Sequence, residues 1–173
     1  LNDVDVLEEP NRFLLTSRGA GKVFFYDLQE KKRNDFSFPF EGPTDADLLP
    51  GGNLLVCDAK AGTVLEIAED GTPVWSYNQD LLQPMDALRL ANGNTLISDF
   101  DHHRVLEISP NGEIVSEQSG FDHPIKMSLL ASGDVLVADA DHQRLMRRKP
   151  DGTLDVVRED LNCIQAATFL PDQ

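Results

Sequence analysis

Three hexapeptides recur along the chain at near-constant spacing: Asn53-Leu-Leu-Val-Cys-Asp58, Asn94-Thr-Leu-Ile-Ser-Asp99 and Asp134-Val-Leu-Val-Ala-Asp139. Their final aspartates stand at 58, 99 and 139, so the period is 41 and then 40 residues. Counting back 41 from Asp58 reaches Ser17, the end of Arg12-Phe-Leu-Leu-Thr-Ser17, which keeps the apolar pattern but lacks the aspartate. A period of this length is the signature of a repeat architecture, and it constrains the fold more than any single residue does.

Each copy divides into four short runs, here named A to D. In the third copy they are Asp86–Leu90, Thr95–Ser98, Arg104–Ile108 and Glu113–Glu117. The runs are rich in branched residues, and Asn-Gly, Asp-Gly and Gly-Gly join many of them. Those pairs tolerate the positive φ of hairpin turns, so each run is predicted to be a strand. A four-stranded meander of about 40 residues leaves both of its faces bare. Radial stacking of copies covers them, which is the logic of an all-β propeller. An open solenoid is the alternative, but its coils are usually shorter. The predicted blades are 1–42, 43–83, 84–123 and 124–163, and a fifth begins at 164–173. That extra strand A, at 166–170, leads to the expectation of an incomplete ring. Further blades or another chain would complete it, and a free-standing closed monomer is not expected.

Thirty acidic residues against 15 basic ones give a formal net charge of −15. Nucleic-acid binding rests largely on Lys and Arg neutralising phosphates, so no nucleic-acid partner is expected, and anionic membranes are disfavoured for the same reason. Cys57 and Cys163 match no metal spacing and no dense disulfide framework. They leave the compartment open, with a secreted or periplasmic setting favoured over a cytoplasmic one.

Two stretches carry a resemblance. Gln83-Pro-Met-Asp-Ala-Leu-Arg-Leu-Ala-Asn-Gly-Asn-Thr-Leu-Ile-Ser-Asp-Phe-Asp-His-His-Arg104 and the run from His123-Pro-Ile-Lys to Asp139-Ala-Asp-His-Gln-Arg144 each resemble an NHL repeat. The shared pattern is a proline before strand A, a Gly-rich turn, an apolar strand ending in Asp, and a His-x-Arg turn. The first two copies depart from it: Ser17-Arg-Gly-Ala-Gly-Lys22 has no aspartate, and neither it nor Asp58-Ala-Lys-Ala-Gly-Thr63 has the His-x-Arg turn. Pro73-Val-Trp-Ser-Tyr77 is more similar to pyrroloquinoline-quinone-type or arylsulfotransferase-type propellers. The resemblance implies a propeller, six-bladed in the usual family ring, on a fold that hosts both binding proteins and enzymes.

The meander fixes which loops share a face. The B–C turns and D–A connections emerge together, and the A–B and C–D turns emerge opposite. His102, His103 and His142 fall on B–C turns and His123 on a D–A connection, so one face collects all four histidines. Asp45 and Asp86 stand two residues after their prolines, where strand A begins near the axis. The candidate ligand-binding residues are therefore Asp45, Asp86, Asp101, His102, His123, Asp141 and His142. Asp99, Asp139, Arg104 and Arg144 read as framework, because a strand-end carboxylate accepts turn amides and pairs with an arginine five residues on.

No catalytic set and no metal set emerges from spacing. The chain reads as a binding or interaction scaffold for a protein, a peptide or a small polar ligand. No cofactor is expected from the residues. Propeller relatives include calcium-dependent lactone hydrolases and sulfotransferases, which leave room for a calcium ion on the axis. A propeller enzyme of that kind is the alternative, with Asp45, Asp86 and His123 as metal ligands or general base. A structural subunit that completes a ring or fibre is the third reading.

Overall fold

The computed structural model describes residues 3–7 and 11–162, and its strands fall into four antiparallel sheets of four. Blade 1 is β1 (Asp3–Val6), β2 (Arg12–Ser17), β3 (Lys22–Asp27) and β4 (Lys32–Asp35). Blade 2 is β5 (Pro43–Leu48), β6 (Leu54–Asp58), β7 (Thr63–Ile67) and β8 (Pro73–Tyr77). Blade 3 is β9 (Pro84–Arg89), β10 (Thr95–Asp99), β11 (Arg104–Ile108) and β12 (Ile114–Gln118). Blade 4 is β13 (Pro124–Leu129), β14 (Val135–Asp139), β15 (Arg144–Arg148) and β16 (Leu154–Arg158). In every sheet the strands pair in chain order, so each blade is a plain meander. The fifth strand expected at 166–170, and Cys163, lie outside the described residues.

Strand A starts at the proline itself, two residues earlier than its apolar run suggests. Pro84 pairs with Asp99, and a register shift next to that pair absorbs the irregularity. The same step occurs at Pro43–Asp58 and at Pro124–Asp139. Proline fits there because a bulge does not require the ladder N–H that it lacks.

The strands B read as unbroken apolar runs because both of their faces are covered. In β6, Leu54 and Val56 pack with Leu14, Val23 and Phe25 of blade 1. The alternate residues Leu55 and Cys57 pack with Ala87, Ile97 and Leu106 of blade 3. In β10, Leu96 in turn meets Met127, Val135 and Val137 of blade 4. The period of two thus sends successive side chains into successive blade interfaces. The first strands of neighbouring blades lie against one another, which makes strand A the inner strand. The D strands are outermost and leave Val74, Ile114, Val115, Val156 and Val157 about half exposed.

Candidate functional site

The strand-end aspartates tie each blade to the chain entering it. Asp99 is fully buried and its two oxygens have separate partners. Leu82 N–H of the D–A connection donates to Oδ1 at 2.8 Å, and Arg104 Nε donates to Oδ2 at 2.8 Å. His102 Nδ1 also lies 2.8 Å from Oδ2. Asp139 repeats the set with the Asp122 N–H, with Arg144 Nε at 2.7 Å and with His142 Nδ1 at 3.0 Å. In blade 2, Asp58 takes the backbone N–H groups of Glu41, Gly42 and Ala61 instead. His102 and His142 are therefore held inside their own hairpins, each by its own strand-end carboxylate.

Deeper in, three successive A strands put charged side chains at one level. Asp45 pairs in register with Cys57, Asp86 with Ser98, and Lys126 with Ala138. Asp45 and Asp86 are buried, and the Lys126 ammonium bridges them, bonding Asp45 Oδ1 and lying 3.3 Å from Asp86 Oδ1. Met127 N–H donates to Asp86 Oδ2. Burial, and then the charge of Asp86, push the Asp45 carboxyl well above the ordinary aspartate range, against the pull of Lys126. Lys126 thus brings a cation of the chain's own to this buried acidic pair.

On the loop face, the B–C turns of blades 3 and 4 meet the connection between them. There His103, Asp122, His123 and Asp141 cluster, with Asp101 alongside. Of the residues singled out from sequence, Asp101, His123 and Asp141 thus come together, and Asp45 and Asp86 form a second group through Lys126. His102 and His142 join neither.

A cleft of about 460 Å³ opens on the same face between the turns of blades 1 and 2 and the connection into blade 3. Arg18, Lys60, Gly62, Leu81, Leu82 and Gln83 are among its lining residues. Arg18 Nη2 donates to Gln83 Oε1 at 3.2 Å, a neutral partner, and among the described residues no carboxylate pairs with its guanidinium. Sequence reasoning missed this cleft, although its signal was visible. Where blades 3 and 4 carry Phe100-Asp-His-His103 and Ala140-Asp-His-Gln143, blades 1 and 2 carry Arg18-Gly-Ala-Gly21 and Ala59-Lys-Ala-Gly62. The small side chains at the departing copies leave the space that the larger ones fill elsewhere.

No family model matches the sequence, and no curated protein does either. Solved structures do. Virginiamycin B lyase from Staphylococcus aureus superposes with a TM-score of 0.75 at 14% identity, covering 91% of this chain and 55% of its own. A protein of unknown function from Bacteroides caccae gives 0.72 at 22% identity, over 91% of this chain and 59% of its own. A chain of the nidogen/laminin complex gives 0.70 at 14% identity, over 84% and 59%. The chain thus spans a little over half the length of these structures. At such identities the likeness is one of fold, and it agrees with the four stacked meanders: the chain is an all-β protein built as a β-propeller.

Proposed function

We propose that the chain is a binding scaffold of NHL-like type that takes a polar ligand on the face formed by its B–C turns and D–A connections. The observation that carries this reading is the cleft on that face, with Arg18 and Lys60 beside Leu81 and Leu82. Its volume falls in the range of roughly 300–1,000 Å³ usual for ligand clefts. Two cationic side chains beside an apolar wall suit a carboxylate attached to an aliphatic group, as at the end of a peptide chain. Calorimetry with acetyl-Ala-Leu as free acid and as amide tests it. The acid is expected to bind and the amide to bind more weakly, and Lys60→Glu is expected to erase the difference. Equal binding of acid and amide would contradict the reading.

A second reading is a propeller enzyme centred on Asp45, Asp86 and Lys126. The raised Asp45 carboxyl favours it, because a buried acid whose pKa is pushed up by desolvation and a neighbouring carboxylate holds its proton more tightly and is suited to proton transfer. Hydrolysis of a simple lactone or nitrophenyl ester, lost in Asp45→Asn, would support this over binding alone.

The outer face of blade 4 bears on partners. Leu55 and Val64 of blade 2, and Leu96 and Val105 of blade 3, are at most 1% exposed beneath the following blade. Their blade 4 counterparts Leu136 and Leu145 remain half-buried among the described residues. The occupant that fits this face is another blade of the same pattern, from this polypeptide or from a second chain.

A further inference from the structure

We propose that His103, Asp122, His123 and Asp141 form a binding site for a divalent transition-metal ion of the zinc type, bridging blades 3 and 4 on the loop face. The site is separate from the Arg18–Lys60 cleft and stands whether or not that cleft binds a carboxylate. Three segments supply the donors. His103 closes the B–C turn of blade 3, Asp122 and His123 lie in the connection into blade 4, and Asp141 is in the B–C turn of blade 4.

Donor atoms of three of these residues lie close enough together to share one ion, and Asp141 stands against His123. His103 Nδ1 lies 3.0 Å from Asp122 Oδ1. His123 Nδ1 lies 3.3 Å from the same oxygen and 2.7 Å from Asp141 Oδ2. One atom each of His103, Asp122 and His123 lie within 4.8 Å of one another. Zinc bonds of about 2.0–2.2 Å to nitrogen and oxygen give a tetrahedral edge of about 3.4 Å. Small adjustments of exposed side chains therefore close the shell around an ion. Two imidazoles with two carboxylates suit zinc, cobalt or nickel better than calcium or magnesium, which take all-oxygen shells.

The donor-bearing segments are also tied to each other, the His123 backbone N–H donating to His103 Nδ1 at 3.3 Å. Beyond the shell, Asp101 Oδ1 lies 4.0 Å from His123 Nε2, on the side where a metal-bound imidazole directs its remaining N–H toward a carboxylate. The Phe100 ring packs 4.4 Å from the His123 ring and limits its rotation.

His103 sits at φ 55°, the turn position that Gln143 fills at φ 53° in blade 4 and that blades 1 and 2 fill with Gly21 and Gly62 at φ 59° and 63°.

The test is calorimetry of the chelator-treated protein with zinc chloride, together with the visible absorption of the cobalt-loaded protein. The expected result is one ion per chain and a tetrahedral cobalt spectrum. His123→Ala is expected to weaken binding about ten-fold or more, by analogy with losses at metal sites generally. His103→Gly is expected to weaken it too, while keeping the metal-free melting temperature, because glycine suits that φ. His102→Ala and His142→Ala, on the same face but outside the cluster, are expected to leave affinity unchanged. Absence of stoichiometric zinc binding, or zinc binding indifferent to both His103→Gly and His123→Ala, would overturn the proposal.

Discussion

Asp99 and Arg104 stand opposite each other at the turn end of the β10–β11 hairpin, with Arg104 Nε donating to Asp99 Oδ2 at 2.8 Å. Asp139 and Arg144 repeat the pair one blade later at 2.7 Å. Both carboxylates are fully buried, and each also holds a backbone N–H of the incoming connection. Asp99→Ala and Asp139→Ala are therefore expected to destabilise the fold by about 1–3 kcal/mol each, since every removal takes the acceptor from an arginine Nε and from a backbone amide. Urea denaturation measures this. A variant with an unchanged midpoint would show that the pair is not framework.

The buried pair Asp45 and Asp86 gives a pH dependence with a definite sign. A carboxyl whose folded pKa is raised supports the fold fully below its unfolded pKa, near 3.8, and loses that contribution as pH rises through the raised value. Asp45→Asn keeps the shape without the charge. Its stability relative to the parent is expected to grow as pH rises above the unfolded aspartate value near 3.8. Denaturation at several pH values reads this. A variant that grows relatively less stable with rising pH would mean that the Asp45 charge is favourable to the fold.

Half-burial of Leu136 and Leu145 leads to a prediction about association. A partly uncovered apolar blade face favours association, so light scattering is expected to show species larger than one chain, and Leu136→Glu to reduce them. A parent protein that stays monomeric with a cooperative melt would contradict it.

How much of this was legible in the sequence differed by level. The recurrent Asp58, Asp99 and Asp139 gave the blades, because alternating burial imposes a period on every copy. Strand A was placed two residues late, since Pro84 pairs with Asp99 through a bulge that no apolar pattern marks. The grouping of Asp45 with Asp86 was half visible: their equivalent positions were plain, but Lys126, at the same level in blade 4, was overlooked because it breaks the acidic pattern. His103 and Asp122 were passed over because their proximity depends on how two loops of neighbouring blades fold together. The cleft was hidden for another reason, since Gly21, Ala59 and Gly62 mark it only by the size of what they lack.

The central claim is that the loop face with Arg18 and Lys60 is where this propeller binds. Amide-resolved NMR of the labelled protein, titrated with acetyl-Ala-Leu free acid, tests it most directly. Shifts are expected to concentrate at Ala59 to Gly62 and at Leu81 to Gln83, and to vanish in Lys60→Glu. Shifts centred instead on the opposite-face turns, at Gly51 to Asn53 and around Gly112, would contradict the assignment.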